Sequence, residues 1–242
     1  QGQAPTLPAL PIQYADYALW QRQRMAGQEG RDQLEYWLKQ LEGEQPVIQL
    51  PYDRPRTAVQ STAGATLRRT LDDQTAARLK AFAEQHQLTV FMVLLASFTL
   101  TLYRYSGQAD LRVGIPMANR DRVETEGLIG FFVNTQVIRT LMDGQQSVAE
   151  LMGAVRETVL QAQEHPDLPF ESLVDALAPQ RSLSHNPLFQ VMFNHQAASV
   201  EGGVIHEAAG LRVKPVSWGN ATTHFDLSLS PHEHPGQLRA AA

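Results

Sequence analysis

Apolar residues recur along this chain with two different periods, and the switches between them mark out its elements. Residues 1–13 hold three prolines and no clear period, so they read as a lead-in segment. From Tyr14 to Leu41 the pattern is helical, anchored by Trp20, Tyr36 and Trp37, with a break expected near Gly27 and Gly30. QLPYDRPR (Gln49–Arg56) has Pro51, Pro55 and no helical period, which predicts an extended crossing segment. Ala65–Leu71 reads as a strand. Asp73–Gln87 reads as an amphipathic helix, with Leu79, Phe82, Ala83 and His86 at i, i+3, i+4 and i+7. Thr89 can cap a helix from Val90 to Tyr105, and Gly107 can end it. That helix is apolar nearly all round and belongs between layers.

Leu111, Val113, Ile115 and Met117 alternate as a strand, and Pro116 puts its end at an edge or a loop mouth. Phe131–Leu141 reads as a second strand. Ser147 to Glu150 is a capping box that opens a helix with the stripe Val148, Leu151, Met152, Val155, Val159 and Ala162. Pro169 sits where a first helical residue belongs, starting a short helix to Leu177. Leu188–Gln196, Leu211–Val216 and His224–Ser230 complete the strands, and Gln237–Arg239 looks like the start of one more. About five or six strands interleave with about five helices without strict βαβ alternation, so the expected fold class is α/β, a two-layer sandwich rather than a doubly wound sheet.

Composition narrows the function classes. The chain has 242 residues, 43% of them hydrophobic, enough to bury a sizeable core. Its net charge of -5 gives no electrostatic drive toward nucleic acid or an anionic membrane. The absence of cysteine excludes disulfides, thiolate metal sites and a cysteine nucleophile. The most apolar stretch, Val90–Leu102, is too short to span a bilayer. A cytoplasmic location, with no nucleic-acid or membrane partner, is the expectation.

Candidate chemistry is sparse. GxGxxG, GxxxxGK[ST], GxSxG and HExxH are all missing. His232-Glu233-His234 is the most metal-like cluster, yet a third ligand is wanting, and an exposed turn is the favoured reading. His165 reads as a residue at a helix C-terminus, and His195 as a hydrogen-bonded core histidine. Asp16 and Asp226 each fit a buried structural carboxylate better than a general acid. No metal or directly bound cofactor is expected.

Six segments change the picture. YADYALWQRQ (Tyr14–Gln23), VGIPMANRDR (Val113–Arg122), IGFFVNTQ (Ile129–Gln136), HPDLPFESLV (His165–Val174), SHNPLFQVMF (Ser184–Phe193) and HFDLSLS (His224–Ser230) resemble, in order, segments of nonribosomal peptide synthetase condensation domains. That resemblance implies two subdomains of the chloramphenicol acetyltransferase-like fold enclosing a tunnel. It implies peptide-bond formation between a donor acyl or peptidyl thioester and an acceptor aminoacyl group. Both substrates ride on phosphopantetheine arms of upstream and downstream peptidyl carrier proteins, beside an adenylation domain. The family's HHxxxDG motif is missing from this sequence. Residues 14–242 therefore resemble the C-terminal subdomain, residues 1–13 the inter-subdomain linker, and the N-terminal subdomain becomes an implied partner.

The resemblance also assigns residues. Asn186 matches an asparagine facing the tunnel and is the candidate for a supporting catalytic role, against a structural reading in which it satisfies the turn before Pro187. Met117–Gly130 resembles the loop flooring the tunnel, so Asn119 and Arg120 are tunnel candidates, although Arg120 could simply pair with Asp121 or Glu124. Asn134, in an apolar strand, is expected to hold that loop. His185 stands where the family more often has arginine. Ala197–Leu211 resembles the segment crossing to the other subdomain. Rival readings are an epimerisation domain of the same superfamily and a non-catalytic docking subdomain.

Overall fold

A computed structural model describes residues 8–178, 182–196, 206–208, 211–213, 221–234 and 237–241. The expected break near Gly27 and Gly30 separates α1 (Tyr14–Ala26) from α2 (Gln28–Gln40). Gly27 terminates the first helix and precedes the second. A Cβ at Gly30 would lie 2.0 Å from the Met25 carbonyl oxygen, so the tight corner requires glycine there. The crossing segment that follows has no regular structure until β1 (Arg68–Leu71), shorter than the predicted strand.

Next come α3 (Asp73–Gln85) and α4 (Val90–Ser106). Asp72 caps α3 through the Thr75 amide, at 2.8 Å. Its buried face is Ala76 and Ala83, whereas Phe82 and His86 lie outside and pack on each other. The buried stripe is thus rotated from the predicted one, because the helix shows the sheet its small residues. Thr89 caps α4 and Gly107 ends it at φ +68°, as the sequence predicts.

β2 (Asp110–Met117), α5 (Val123–Glu126) and β3 (Asn134–Leu141) precede α6 (Val148–Glu164) and α7 (Phe170–Leu177). The Ser147–Glu150 capping box is formed. The chain then runs through β4 (Val191–Phe193), β5 (His206–Ala208), β6 (Leu211–Val213), β7 (Leu227–His234) and β8 (Gln237–Ala241). Residues 1–7, most of the proposed crossing segment 197–211, and residues 214–216 of the predicted strand lie outside the described residues.

Six strands form one mixed sheet in the order β1-β8-β7-β4-β2-β3, and β5 and β6 pair separately. β2 runs antiparallel to β3 and parallel to β4, and β4 is parallel to β7. The β2–β4 register covers Val113 and Gly114 and stops before Pro116, which has no N–H to offer a second neighbour. Pleating therefore sorts the side chains. Leu111, Val113, Ile115, Ile138, Val191 and Phe193 share one face, and all are buried. α4 and α6 cover that face: Phe98 stacks on Phe193, and Gln136 donates to the Ala162 carbonyl at 2.7 Å.

The opposite face is covered only in part. Around β2 and β3, Arg112 donates to the Glu44 carbonyl and Arg139 to the Gln40 carbonyl, tying down the end of α2. Phe189 lies over Gly114, where a Cβ would come within 2.2 Å of its ring. The fold is the expected α/β sandwich with α2 and α7 added as a local third layer. Beyond β2, toward β7 and β8, no helix among the described residues covers this second face.

His232-Glu233-His234 is not a turn. These residues lie in β7 and pair with β8. His195 is largely buried, and its Nε2 lies 3.0 Å from Glu233 Oε1. Burial holds the imidazole below its ordinary value, opposed by the Glu233 charge. No single helix among the described residues is long and apolar enough to cross a membrane.

Candidate functional site

The second sheet face holds a cavity of about 630 Å3. Pro116, Met192, Ser228 and Ser230 rise from β2, β4 and β7, and Asn194 from just after β4, to form its floor. Residues 63–66 and 222–226 make its walls. These two wall segments are joined backbone to backbone, Gly64 N to Ala221 O at 2.7 Å and Thr223 N to Thr62 O at 2.8 Å.

One buried carboxylate fixes the walls. Asp226 has a side chain only 7% exposed. Arg56 reaches it with both terminal nitrogens, Tyr52 Oη donates to it at 2.7 Å, and Gln60 Nε2 approaches at 3.4 Å. Arg56 also donates to the Ser184 carbonyl at 3.3 Å. The crossing segment, the 184–186 turn and the cavity wall thus meet on one charge. The hydrogen bond to Asp226 pushes the Arg56 guanidinium up from its ordinary value, and burial beside that carboxylate raises the Tyr52 phenol to about 12. Asp226 is the structural carboxylate the sequence suggests. Sequence reasoning misses Arg56 and Tyr52, although the two arginines flanking Pro55 in PYDRPR are an available signal.

The candidate residues do not converge. Asn186 donates its amide to the His224 carbonyl at the cavity wall, and its own carbonyl accepts from Gln190 at 2.9 Å. His185 accepts or donates at Nδ1 with Ser184 Oγ, at 2.8 Å. It lines a separate cavity of about 370 Å3 with Gln45, Leu177 and Gln190. Asn134 is consumed by the 166–170 loop. Its Nδ2 donates to the Pro166 and Leu168 carbonyls at 3.0 and 2.8 Å, and its Oδ1 accepts from the Phe170 amide at 3.1 Å. Gln33 holds the same loop from α2, accepting from the Asp167 and Leu168 amides at 2.9 Å.

Asn119, at φ +50°, and Arg120 lie in the loop between β2 and β3. Arg120 pairs with neither Asp121 nor Glu124 in an ion pair: its Nη1 donates to the Thr125 and Leu128 carbonyls at 2.9 and 2.8 Å, and its guanidinium lies 4.2 Å over Phe132. None of the five candidates lines the 630 Å3 cavity directly. Among the described residues lining the cavity the one carboxylate, Asp226, already serves Arg56.

Comparison with known proteins identifies the family. The model of the condensation domain matches residues 1–241. A linear gramicidin synthase polypeptide of Brevibacillus parabrevis is 48% identical over 99% of this chain and 5% of its own length. A plipastatin synthase polypeptide of Bacillus subtilis is 44% identical over 96% of this chain and 9% of its own. The X-domain from teicoplanin biosynthesis superposes with a TM-score of 0.87 at 28% identity, over 99% of this chain and 56% of that one. The condensation domain of a monacolin K polyketide synthase has the same fold, at TM-score 0.81 and 22% identity over 98% of this chain and 56% of that one. The chain thus spans about half of these structures and a small part of its curated relatives. By sequence and by fold, it belongs to the condensation-domain family.

Proposed function

We propose that this chain is the C-terminal, acceptor-side half of a nonribosomal peptide synthetase condensation domain, and that its second sheet face is one wall of the substrate tunnel. The observation that supports this most is the cavity of about 630 Å3 on the part of the second sheet face that no described helix covers. Proteins leave a sheet face bare where something else covers it. In the reaction, an acceptor amine attacks the donor thioester carbonyl. The C–N bond forms, the C–S bond breaks, and the amine's proton passes to the departing thiolate. A histidine from the other half places or deprotonates the amine, and donors near the cavity stabilise the oxyanion. Asn186 acts indirectly, by fixing the His224 carbonyl and with it the wall.

Carrier proteins with phosphopantetheine arms and an adjacent adenylation domain are the partners this reading requires, in a cytoplasmic assembly. Amide product from carrier-bound donor and acceptor, followed by mass spectrometry, tests it. Product requires the other half of the domain, and turnover by this chain alone refutes the assignment. A docking role is the second reading, favoured by one neighbour. The teicoplanin X-domain, 27% identical and with a TM-score of 0.88, is described in complex with OxyB. Undiminished partner binding with no amide product in the completed domain would select it.

A further inference from the structure

The loop entering β3 displays its apolar side chains in the wrong direction for a core. Leu128 and Phe132 are buried, while Ile129, Phe131 and Val133 are 95%, 75% and 48% exposed. Isolated exposed apolar residues are ordinary, but three at alternate positions on one short segment are not.

The segment is also braced from behind. The Tyr14 ring lies on Gly130 so closely that a Cβ there would come within 2.2 Å. Tyr14 Oη donates to the Phe131 carbonyl at 2.7 Å. Phe132 is clasped by Tyr14, Tyr17 and the Arg120 guanidinium. Arg120 gathers the carbonyls of the preceding turn, and Asn134 anchors the exit. Such bracing fixes the backbone before any partner arrives, which lowers the ordering cost of association.

Position identifies the occupant. Met117 pairs with Asn134 and Pro116 with Thr135, so the loop leaves the sheet at the end where Pro116 rims the 630 Å3 cavity. A body that covers the cavity from this end also meets the ridge. The teicoplanin X-domain structures contain nearly as much chain again as the part matched here. We propose that Ile129, Phe131 and Val133 form a preformed apolar ridge on which the other half of the condensation domain seats, an inference that rests on the half-domain reading above.

Hydroxyl-radical footprinting of this chain alone and within the intact two-half domain tests it. Labelling of Phe131 falls by about tenfold in the intact domain, as expected for a side chain moved from solvent to an interface core. Labelling of Met192, at the cavity floor, falls as well, while Tyr105 at the far end of α4 is unchanged. Protection of Met192 without protection of Phe131 overturns the ridge and leaves the half-domain reading standing. Protection of neither overturns both. As a second measure, the Ile129→Asp/Phe131→Asp variant keeps its helical circular dichroism, both side chains being exposed, and weakens association of separately produced halves by about a hundredfold. Unchanged association of that variant refutes the ridge.

Discussion

Replacing Arg56 with methionine leaves a carboxylate, Asp226, buried beside only Tyr52 and Gln60 as side-chain donors. Breaking a fully buried ion pair costs about 3–5 kcal/mol. The Arg56 side chain is 22% exposed and two donors survive, so the cost here is about 2–4 kcal/mol. In a chain of this size each kcal/mol lowers the melting temperature by roughly 2–4 °C, which gives a fall of roughly 4–16 °C. The informative comparison is the double variant Arg56→Met/Asp226→Leu. With both charges removed no buried charge is left unpaired, so it is more stable than Arg56→Met alone. Lysine at position 56 rescues only in part, because one ammonium cannot meet both carboxylate oxygens and the Ser184 carbonyl. Urea titrations of the parent, Arg56→Met, Asp226→Leu and the double variant measure the coupling, expected at about 1–3 kcal/mol. A melting temperature for Arg56→Met within about 1 °C of the parent, or strict additivity in the double variant, refutes the view that this pair holds the cavity wall.

Two further outcomes follow from the same geometry. The Tyr52 and Tyr36 phenols are each raised to about 12, chiefly by burial, with nearby carboxylates adding to the shift. The folded state therefore keeps protons that the unfolded chain gives up near pH 10, and stability falls as pH rises from about 10 to 12. Tyr52→Phe/Tyr36→Phe flattens that fall in denaturant midpoints measured across this range, and an unchanged slope contradicts it. Gly114→Ala drives a methyl into the Phe189 ring and lowers stability by about 1–3 kcal/mol, whereas Gly153→Ala, with open space around it, does not. Equal melting temperatures for the two variants would contradict the packing of Phe189 on the sheet.

What the sequence reveals and what it hides divide along physical lines. Helix ends are legible because their signals are local: Thr89 and Gly107 around α4, and Ser147 with Glu150 at α6, act within a few residues. The strand predicted at His224–Ser230 instead runs from Leu227 to His234. Alternation of Phe225, Leu227 and Leu229 hides the turn, which exists because Asp226 answers an arginine that lies 170 residues away. Similarly, Phe131–Val133 reads as strand by composition, but Tyr14 and Arg120 hold it as a loop. The orientation of α3 escapes the pattern because an alanine face gives a weaker periodic signal than Phe82. Three of the motif segments contribute residues to the cavity, through Pro116, Met192 and the 224–228 stretch. Which of their side chains face the cavity is decided by pairings between distant segments that no single-sequence pattern encodes.

The most direct test fills the cavity. Ser228 lies on β7 at the floor, half-buried, with its side chain on the second face. Ser228→Trp in the intact domain fills the space that the proposed function assigns to the substrate tunnel. Amide product formed from carrier-bound substrates is measured by mass spectrometry, with the melting temperature as a control for folding. The expected result is a loss of about a hundredfold or more in turnover, with melting within a few degrees of the parent. Turnover unchanged in a folded Ser228→Trp protein would show that this sheet face is not a wall of the tunnel.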